Sequence, residues 1–316
     1  MDIVLLFPGQ GSQKPGMGRD LADAFPAARA AFTTVDEALG APLSRLCFDG
    51  PADELTLTHN AQPALLAHGA AAWAVTRDAL GRHVRAAAGH SLGEFTAYHA
   101  AGALTLTDAA RLVRRRGELM YDAGVFRPGA MAAILGDLSQ PIETVCEHAR
   151  DAGLAVPANY NSPGQTVISG EVAGVERAME LAKAAGAKRA IRLNVSGAFH
   201  SPLMGPACDG LREALEAAGL VDAGVPVYAN VDGEPTTAAA TARSLLLQQL
   251  TSPVQWTGVV LRLAERYPDA LFVEMGPGTV LAGLVKKIAP TLQTAPCGTV
   301  ADVESLLQRM SACAST

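Results

Sequence analysis

The stretch RAAAGHSLGEFTAYH, Arg85 to His99, sets a serine between two glycines, Gly89-His90-Ser91-Leu92-Gly93, where a short apolar run ends and a helix-like run begins. A GxSxG pentapeptide between a strand and a helix reads as a nucleophile elbow. Small residues two before and two after the serine let strand and helix cross closely, and the turn exposes the serine Oγ. The backbone N–H of the following residue, Leu92, then lies at the helix N-terminus, where it can stabilise an oxyanion. Such a pentapeptide also arises by chance, so its meaning rests on the elements around it.

Outward from the elbow, Val84 to Ala88 reads as the strand that feeds Ser91. Ile3 to Phe7 is a continuous apolar pentad closed by Pro8-Gly9, the pattern of a buried parallel strand that sits centrally in its sheet. Helix-like runs over Ala22 to Leu39 and Gln62 to Leu80 lie between the two, and this order predicts an α/β domain with a parallel sheet. From Gly129 the rhythm changes. AMAAIL (130 to 135), AVPANYN (155 to 161), QTVISGE (165 to 171) and RAIRLNV (189 to 195) read as strands, with helices over Pro141 to Ala152 and Val172 to Ala185. The sum is βαββαβ, the ferredoxin-like order. The predicted architecture is a large α/β domain formed by 1–128 and 197–316, interrupted by a ferredoxin-like subdomain at 129–196. After the insertion come PVYAN (226 to 230), helices around Ala242 to Gln249 and Val259 to Arg266, and ALFVEMGPG (270 to 278), a strand ending in a glycine turn.

A chain of 316 residues with 49% hydrophobic content can bury a large core. With 18% charged residues and a formal net charge of −6, no general attraction to nucleic acid or to an anionic membrane is expected, and an anionic partner needs a local patch. The five cysteines are odd in number and lack CxxC or Cys/His spacing, so neither a zinc site nor a disulfide framework is expected. Reduced thiols, a short apolar start preceded by an acid, and no apolar run of about 20 residues together predict a cytoplasmic protein without a membrane span.

A nucleophilic serine needs a base, and there are seven histidines. His90 adjoins Ser91, but its side chain is expected to point away from a serine at the tip of the turn. His200 stands in NVSGAFHSPLM, a loop of small residues where the chain re-enters the large domain, which suits a base. The α/β-hydrolase order of serine, acid, then late histidine is allowed by acids such as Asp122 and Asp137. The inserted unit fits it poorly, and no histidine follows His200. The PGQGSQ loop after the first strand fails the dinucleotide pattern, which needs glycine where Lys14 sits, and lacks the GK[ST] of a P-loop. At this point water and a thiol are equal acceptors for an acyl group on Ser91.

Six separated motifs then agree. FPGQGSQ (7 to 13), GHSLGE (89 to 94), RRRGELM (114 to 120), GAFHSPLM (197 to 204), SPVQW (252 to 256) and EMGPGTVLAGLVK (274 to 286) together resemble the malonyl-CoA:acyl-carrier-protein transacylases of fatty acid synthesis and the acyltransferase domains of polyketide synthases. The resemblance runs from residue 3 to about residue 290 and implies an α/β-hydrolase-like core with a ferredoxin-like insertion. It implies Ser91 as acylated nucleophile, His200 as general base and acid, and the backbone carbonyl of Gln249 as the group that orients the imidazole. The backbone N–H groups of Gln10 and Leu92 would form the oxyanion hole, Arg116 would pair with the free carboxylate of a malonyl group, and Phe199 would exclude a methyl branch. Arg114 and Arg115 read as a solvated helix face, and Asn159 and Asn161, whose counterparts in the family this chain resembles face the cleft, read as structural turn residues instead of catalytic ones. The substrates implied are malonyl-CoA and the pantetheine thiol of an acyl carrier protein, with no metal or cofactor, in a monomer. A hydrolase of the same fold is the competing reading. Lys188, Arg189, Arg192, Lys286 and Lys287 are candidates for meeting an acidic carrier protein.

Overall fold

The computed structural model describes residues 1–195 and 197–314, the side chains of 313 and 314 excepted. In chain order the strands are β1 (Ile3–Phe7), β2 (Val84–Gly89), β3 (Gly129–Leu135), β4 (Ala155–Ser162), β5 (Gln165–Glu171), β6 (Arg189–Arg192), β7 (Val227–Tyr228), β8 (Pro235–Thr236), β9 (Leu271–Glu274) and β10 (Gln293–Pro296). They form a six-stranded sheet of order β10-β9-β1-β2-β7-β8 and a four-stranded sheet of order β4-β5-β3-β6.

The apolar pentad of β1 is buried at all five positions because both its edges are paired and both its faces are covered. Leu5 lies opposite Ala87 of β2 on one side and Val273 of β9 on the other, both parallel. β10 and β7 continue the parallel set, and only the two-residue β8 runs antiparallel. One face packs under the long helices Thr58–Leu80 and Leu106–Phe126, around Phe7, Phe95, Tyr98 and Leu66. The other face packs Val4, Leu6 and Phe272 against Trp256, Val260 and Leu263 of the helix Trp256–Arg266.

In the smaller sheet every neighbouring pair is antiparallel. Its helices Ile142–His148 and Val172–Ala184 cover one face with a separate core that includes Ile134, Val145, Ile168 and Val175. The element order is the predicted βαββαβ. A bridge between Asn159 of β4 and Val254 ties this unit to the large sheet's side of the molecule, with Tyr160 N–H donating to the Val254 carbonyl at 2.9 Å. The boundary placed at 196 and the last residues of 197–316 lie outside the described residues.

Several predicted elements shift. The helix expected over Ala22 to Leu39 is two, Arg19–Ala24 and Pro26–Leu39, because Phe25 precedes a proline and is driven to extended geometry at φ −123°, ψ 118°. The helix expected to reach Ala152 stops at His148, and the strand expected to reach Val195 stops at Arg192. Gln62 is not a helix start: the helix begins at Thr58 and carries Pro63 in its second turn, where the ring removes the N–H that would reach the His59 carbonyl. The segment after ALFVEMGPG forms a helix, Val280–Ile288, whose first N–H groups are capped by the buried Glu274 carboxylate through Leu281 at 3.0 Å and Ala282 at 2.8 Å.

Candidate active site

β2 runs into the helix Leu92–Ala100 through Ser91, which sits at φ 51°, ψ −106°. A non-glycine residue with positive φ stores roughly 1–3 kcal/mol of strain that its surroundings must hold. Asn230 holds it: its Oδ1 accepts from the Ser91 N–H at 2.7 Å and its Nδ2 donates to the Gly89 carbonyl at 2.8 Å. The two glycines of the elbow are required sterically. A Cβ on Gly89 would come within 1.9 Å of the Gly93 carbonyl carbon, and one on Gly93 within 2.0 Å of the Phe7 carbonyl oxygen.

The Ser91 Oγ lies 2.8 Å from His200 Nε2. His200 Nδ1 lies 2.9 Å from the Gln249 carbonyl oxygen, which can only accept. The proton is therefore on Nδ1, and the Nε2 lone pair faces the serine hydroxyl. Burial, and then the neighbouring Arg116 charge, push the imidazole down to about 3, against the Gln249 carbonyl, so it is neutral at pH 7. No carboxylate touches it among the described residues, which accounts for the absence of an obvious acid partner in the sequence.

Arg116 comes from the helix Leu106–Phe126 and is 1% exposed. Its Nη1 donates to Gln62 Oε1 at 2.6 Å, and its Nη2 donates to Gln249 Oε1 at 2.9 Å and to Ser91 Oγ at 3.1 Å. The guanidinium also stacks over the Phe95 ring at 5.3 Å, and its Nε has no acceptor. Burial lowers it to about 10, which leaves it cationic at neutral pH. Its neighbours divide: Arg115 is exposed beside Glu118, whereas Arg114 is half-buried and donates to Asn60 at 2.7 Å, so only Arg115 fits the solvated face expected of both.

These groups open on one cavity of about 390 Å³, floored by Ser91, Leu92, Arg116 and His200 and walled by Gln10, Gln62, Phe199 and the small sheet's Met131 and Val167. Gln10 and Leu92 both line it, and among the described residues neither of their backbone N–H groups has a protein acceptor. His90, expected to point away from Ser91, has its Nε2 2.8 Å from Asn161 Oδ1 and lines the cavity. Asn159 and Asn161 lie in β4, not in a turn, and also line the cavity.

Gln62, Asn230 and Glu94 were not singled out from sequence, yet all three build the site. Glu94 stood in plain view inside GHSLGE, and Asn230 ends PVYAN. Gln62 gave no signal beyond a polar residue in an apolar helix. The proposed docking cations are exposed; Arg192 is paired with Glu176 at 2.8 Å, and Lys287 reaches Gln165 at the cavity rim at 3.3 Å.

The acyl transferase domain family model matches residues 4–309. The chain is 47% identical to the malonyl CoA-acyl carrier protein transacylase of Bacillus subtilis (strain 168), over 98% of this chain and 97% of that protein. It is 44% identical to the enzyme of the same name from Escherichia coli (strain K12), over 92% and 94%. The crystal structure of the acyl-carrier-protein S-malonyltransferase from Bartonella henselae superposes with a TM-score of 0.93 at 42% identity, covering 98% of this chain and all of that one. A malonyl-transacylase solved in complex with a holo type II PKS acyl-carrier protein gives the same TM-score at 41% identity, with 98% and 100% coverage. A serine elbow, a histidine and a buried arginine on one cavity, in a chain matched nearly end to end, therefore identify a member of the acyl transferase domain family, alongside the malonyl CoA-acyl carrier protein transacylases.

Proposed function

We propose that this protein transfers a malonyl group from malonyl-CoA, through an ester on Ser91, to the phosphopantetheine thiol of an acyl carrier protein. The observation that carries this reading is the position of the Ser91 Oγ, 2.8 Å from the His200 imidazole and 3.1 Å from the buried Arg116 guanidinium. One neighbour can take a proton, and the other can hold an anion.

In the first half-reaction Ser91 Oγ attacks the thioester carbonyl while His200 Nε2 takes its proton. The developing oxyanion is received by the N–H groups of Leu92 and Gln10, each such donor being worth about 3 kcal/mol of barrier. The intermediate collapses, the C–S bond breaks, and the imidazolium returns its proton to CoA thiolate. In the second half, the carrier's pantetheine thiol gives its proton to His200 and attacks the seryl ester. The C–O bond breaks and Ser91 recovers the proton. Two thioesters are exchanged, so the equilibrium lies near unity, and the steps as written need no metal or redox cofactor.

Arg116 sets the substrate class. A planar guanidinium binds a carboxylate through two parallel hydrogen bonds, and an uncharged acyl group would leave the buried cation without its anion. Phe199 is buried at the cavity wall and opposes a methyl branch at the α-carbon. A hydrolase gains little from a malonate clamp, which favours transfer over release to water.

The large sheet's parallel centre and the elbow after β2 support an α/β-hydrolase-like core at 1–128 and 197–316. The βαββαβ order with sheet order β4-β5-β3-β6 supports a ferredoxin-like subdomain at 129–196. A monomer is sufficient, since one chain supplies every group. Free Cys47, Cys146, Cys208 and Cys297 suit the reducing cytoplasm, and no helix of the described residues is long and apolar enough to cross a membrane. Incubation with labelled malonyl-CoA, with and without a holo acyl carrier protein, tests the function. Label on the carrier is expected; free malonate with an unloaded carrier would overturn transfer.

A further inference from the structure

Beneath the elbow lies a carboxylate that the two half-reactions do not use. Glu94, on the first turn of the helix Leu92–Ala100, is fully buried. Its Oε2 accepts from Gln249 Nε2 at 2.7 Å and from the Asn230 N–H at 2.9 Å. Through these two residues it reaches Ser91, Arg116 and His200. Asn230 holds the Ser91 N–H, and Gln249 meets Arg116 through its side chain and His200 through its main chain.

The Gln249 amide has a choice of two orientations. A primary amide presents two donors on one side and an acceptor on the other. Arg116 offers only donors, so the Gln249 oxygen must face it, and the amide nitrogen must face acceptors. Glu94 Oε2 at 2.7 Å is the shortest of those acceptors; the Ser91 carbonyl is at 3.0 Å and Asn230 Oδ1 at 3.4 Å. Rotated by half a turn, the amide would put oxygen against carboxylate and N–H against guanidinium. No ion pair joins Arg116 to any acid among the described residues. The relay Arg116, Gln249 amide, Glu94 is therefore also the route by which a buried acid answers a buried cation.

We propose that Glu94 is a positioning residue for acyl-group selection: its carboxylate oxygen fixes the Gln249 amide so that Arg116 is held by an acceptor and its fork stays aimed at the acyl pocket. The inference rests on the reading of Arg116 as the malonyl clamp. Burial pushes the Glu94 carboxyl up to about 7, and either protonation state keeps an acceptor oxygen for Gln249.

The test compares kcat/KM for malonyl-CoA and acetyl-CoA in four variants, with folding checked by circular dichroism. Glu94→Leu removes the acceptor, and the malonyl-over-acetyl ratio should fall by about tenfold or more, the size of one mispaired charged hydrogen bond. Glu94→Gln keeps an acceptor oxygen at the same reach, and the ratio should stay within about threefold of the parent. Should Glu94→Leu fail to fold, Glu94→Asp withdraws the oxygen by one methylene and should lower the ratio in the same direction. A folded Glu94→Leu or Glu94→Asp with the parental ratio overturns the proposal, as does a Glu94→Gln that loses the ratio as fully as Glu94→Leu. Arg116→Ala separates the two levels. If it keeps malonyl preference, the clamp reading has failed; if it loses that preference while the Glu94 variants do not, only the role of Glu94 has failed.

Discussion

The Nδ1–H of His200 donates to the main-chain carbonyl of Gln249 at 2.9 Å, in the place where a serine–histidine pair ordinarily finds a carboxylate. A neutral carbonyl fixes the tautomer and the ring plane without adding negative charge beside Arg116. The imidazole is then left to burial and to the guanidinium, both of which favour its neutral form.

That balance governs the acid side of the rate profile. With His200 down at about 3, the limb of kcat/KM due to its protonation should lie well below the ordinary histidine value of 6.5. Arg116→Ala removes the second cause of the depression and should move the same limb upward. A limb at 6.5 in the parent that Arg116→Ala leaves in place would refute this account of the base.

Arg116→Ala should also remove most of the discrimination between malonyl-CoA and acetyl-CoA, by about tenfold to a hundredfold in the kcat/KM ratio, because a charge-assisted pair in a dehydrated site contributes about 1.5–3 kcal/mol. Acetylation of Ser91 should persist. Steady-state kinetics with the two thioesters decides it.

Stability should fall on the acid side through a second buried histidine. His68 is fully enclosed, its Nε2 2.8 Å from the Gly298 carbonyl, and burial holds it down at about 4. Below pH 6.5 the unfolded chain binds a proton that the native His68 refuses, so its contribution is complete above 6.5 and is lost as pH falls toward 4. The slope is about 1.4 kcal/mol per pH unit for one proton. His200 acts in the same direction, and Glu94, raised to about 7, in the opposite one. Urea unfolding of His68→Leu between pH 6.5 and 4.5 should show a slope shallower than the parent's by about one proton's worth, whatever its absolute stability. Parallel slopes would show that His68 does not resist protonation.

Gly93→Ala should destabilise the fold by about 3 kcal/mol or more and abolish acylation, since the new Cβ would press into the Phe7 carbonyl of the central strand, where backbone cannot yield. Thermal unfolding with a mass assay for the acyl-enzyme reports both.

How much of this was legible in the sequence follows from what each signal depends on. The pentad Ile3–Phe7, the GxSxG turn and the βαββαβ rhythm are local patterns, and they placed β1 centrally, the elbow after β2, and the small sheet. His200 emerged from its small-residue loop after the insertion and Arg116 from motif resemblance, and the structure brings both to the serine. Periodicity in an alanine-rich chain blurs ends, so Phe25-Pro26 hid a helix break and Arg192 a strand end. Gln62, Asn230 and Glu94 were missed because their value is in pairing across the fold, 54, 139 and 155 positions from the partners they hold. Asn159 and Asn161 lie in the strand read over 155–161, which the reading of them as turn residues contradicts, and they line the cavity.

The central claim is that Ser91 keeps a malonyl group until a carrier's thiol arrives. The most direct measurement loads the protein with one equivalent of malonyl-CoA, locates the adduct by peptide mass spectrometry, and follows it with and without holo acyl carrier protein. The account predicts a malonyl ester on Ser91 that is lost promptly on addition of the carrier, with equal gain on the pantetheine arm, and slowly in buffer alone. An unmodified Ser91, or an ester lost at the same rate with the carrier left unloaded, would contradict it.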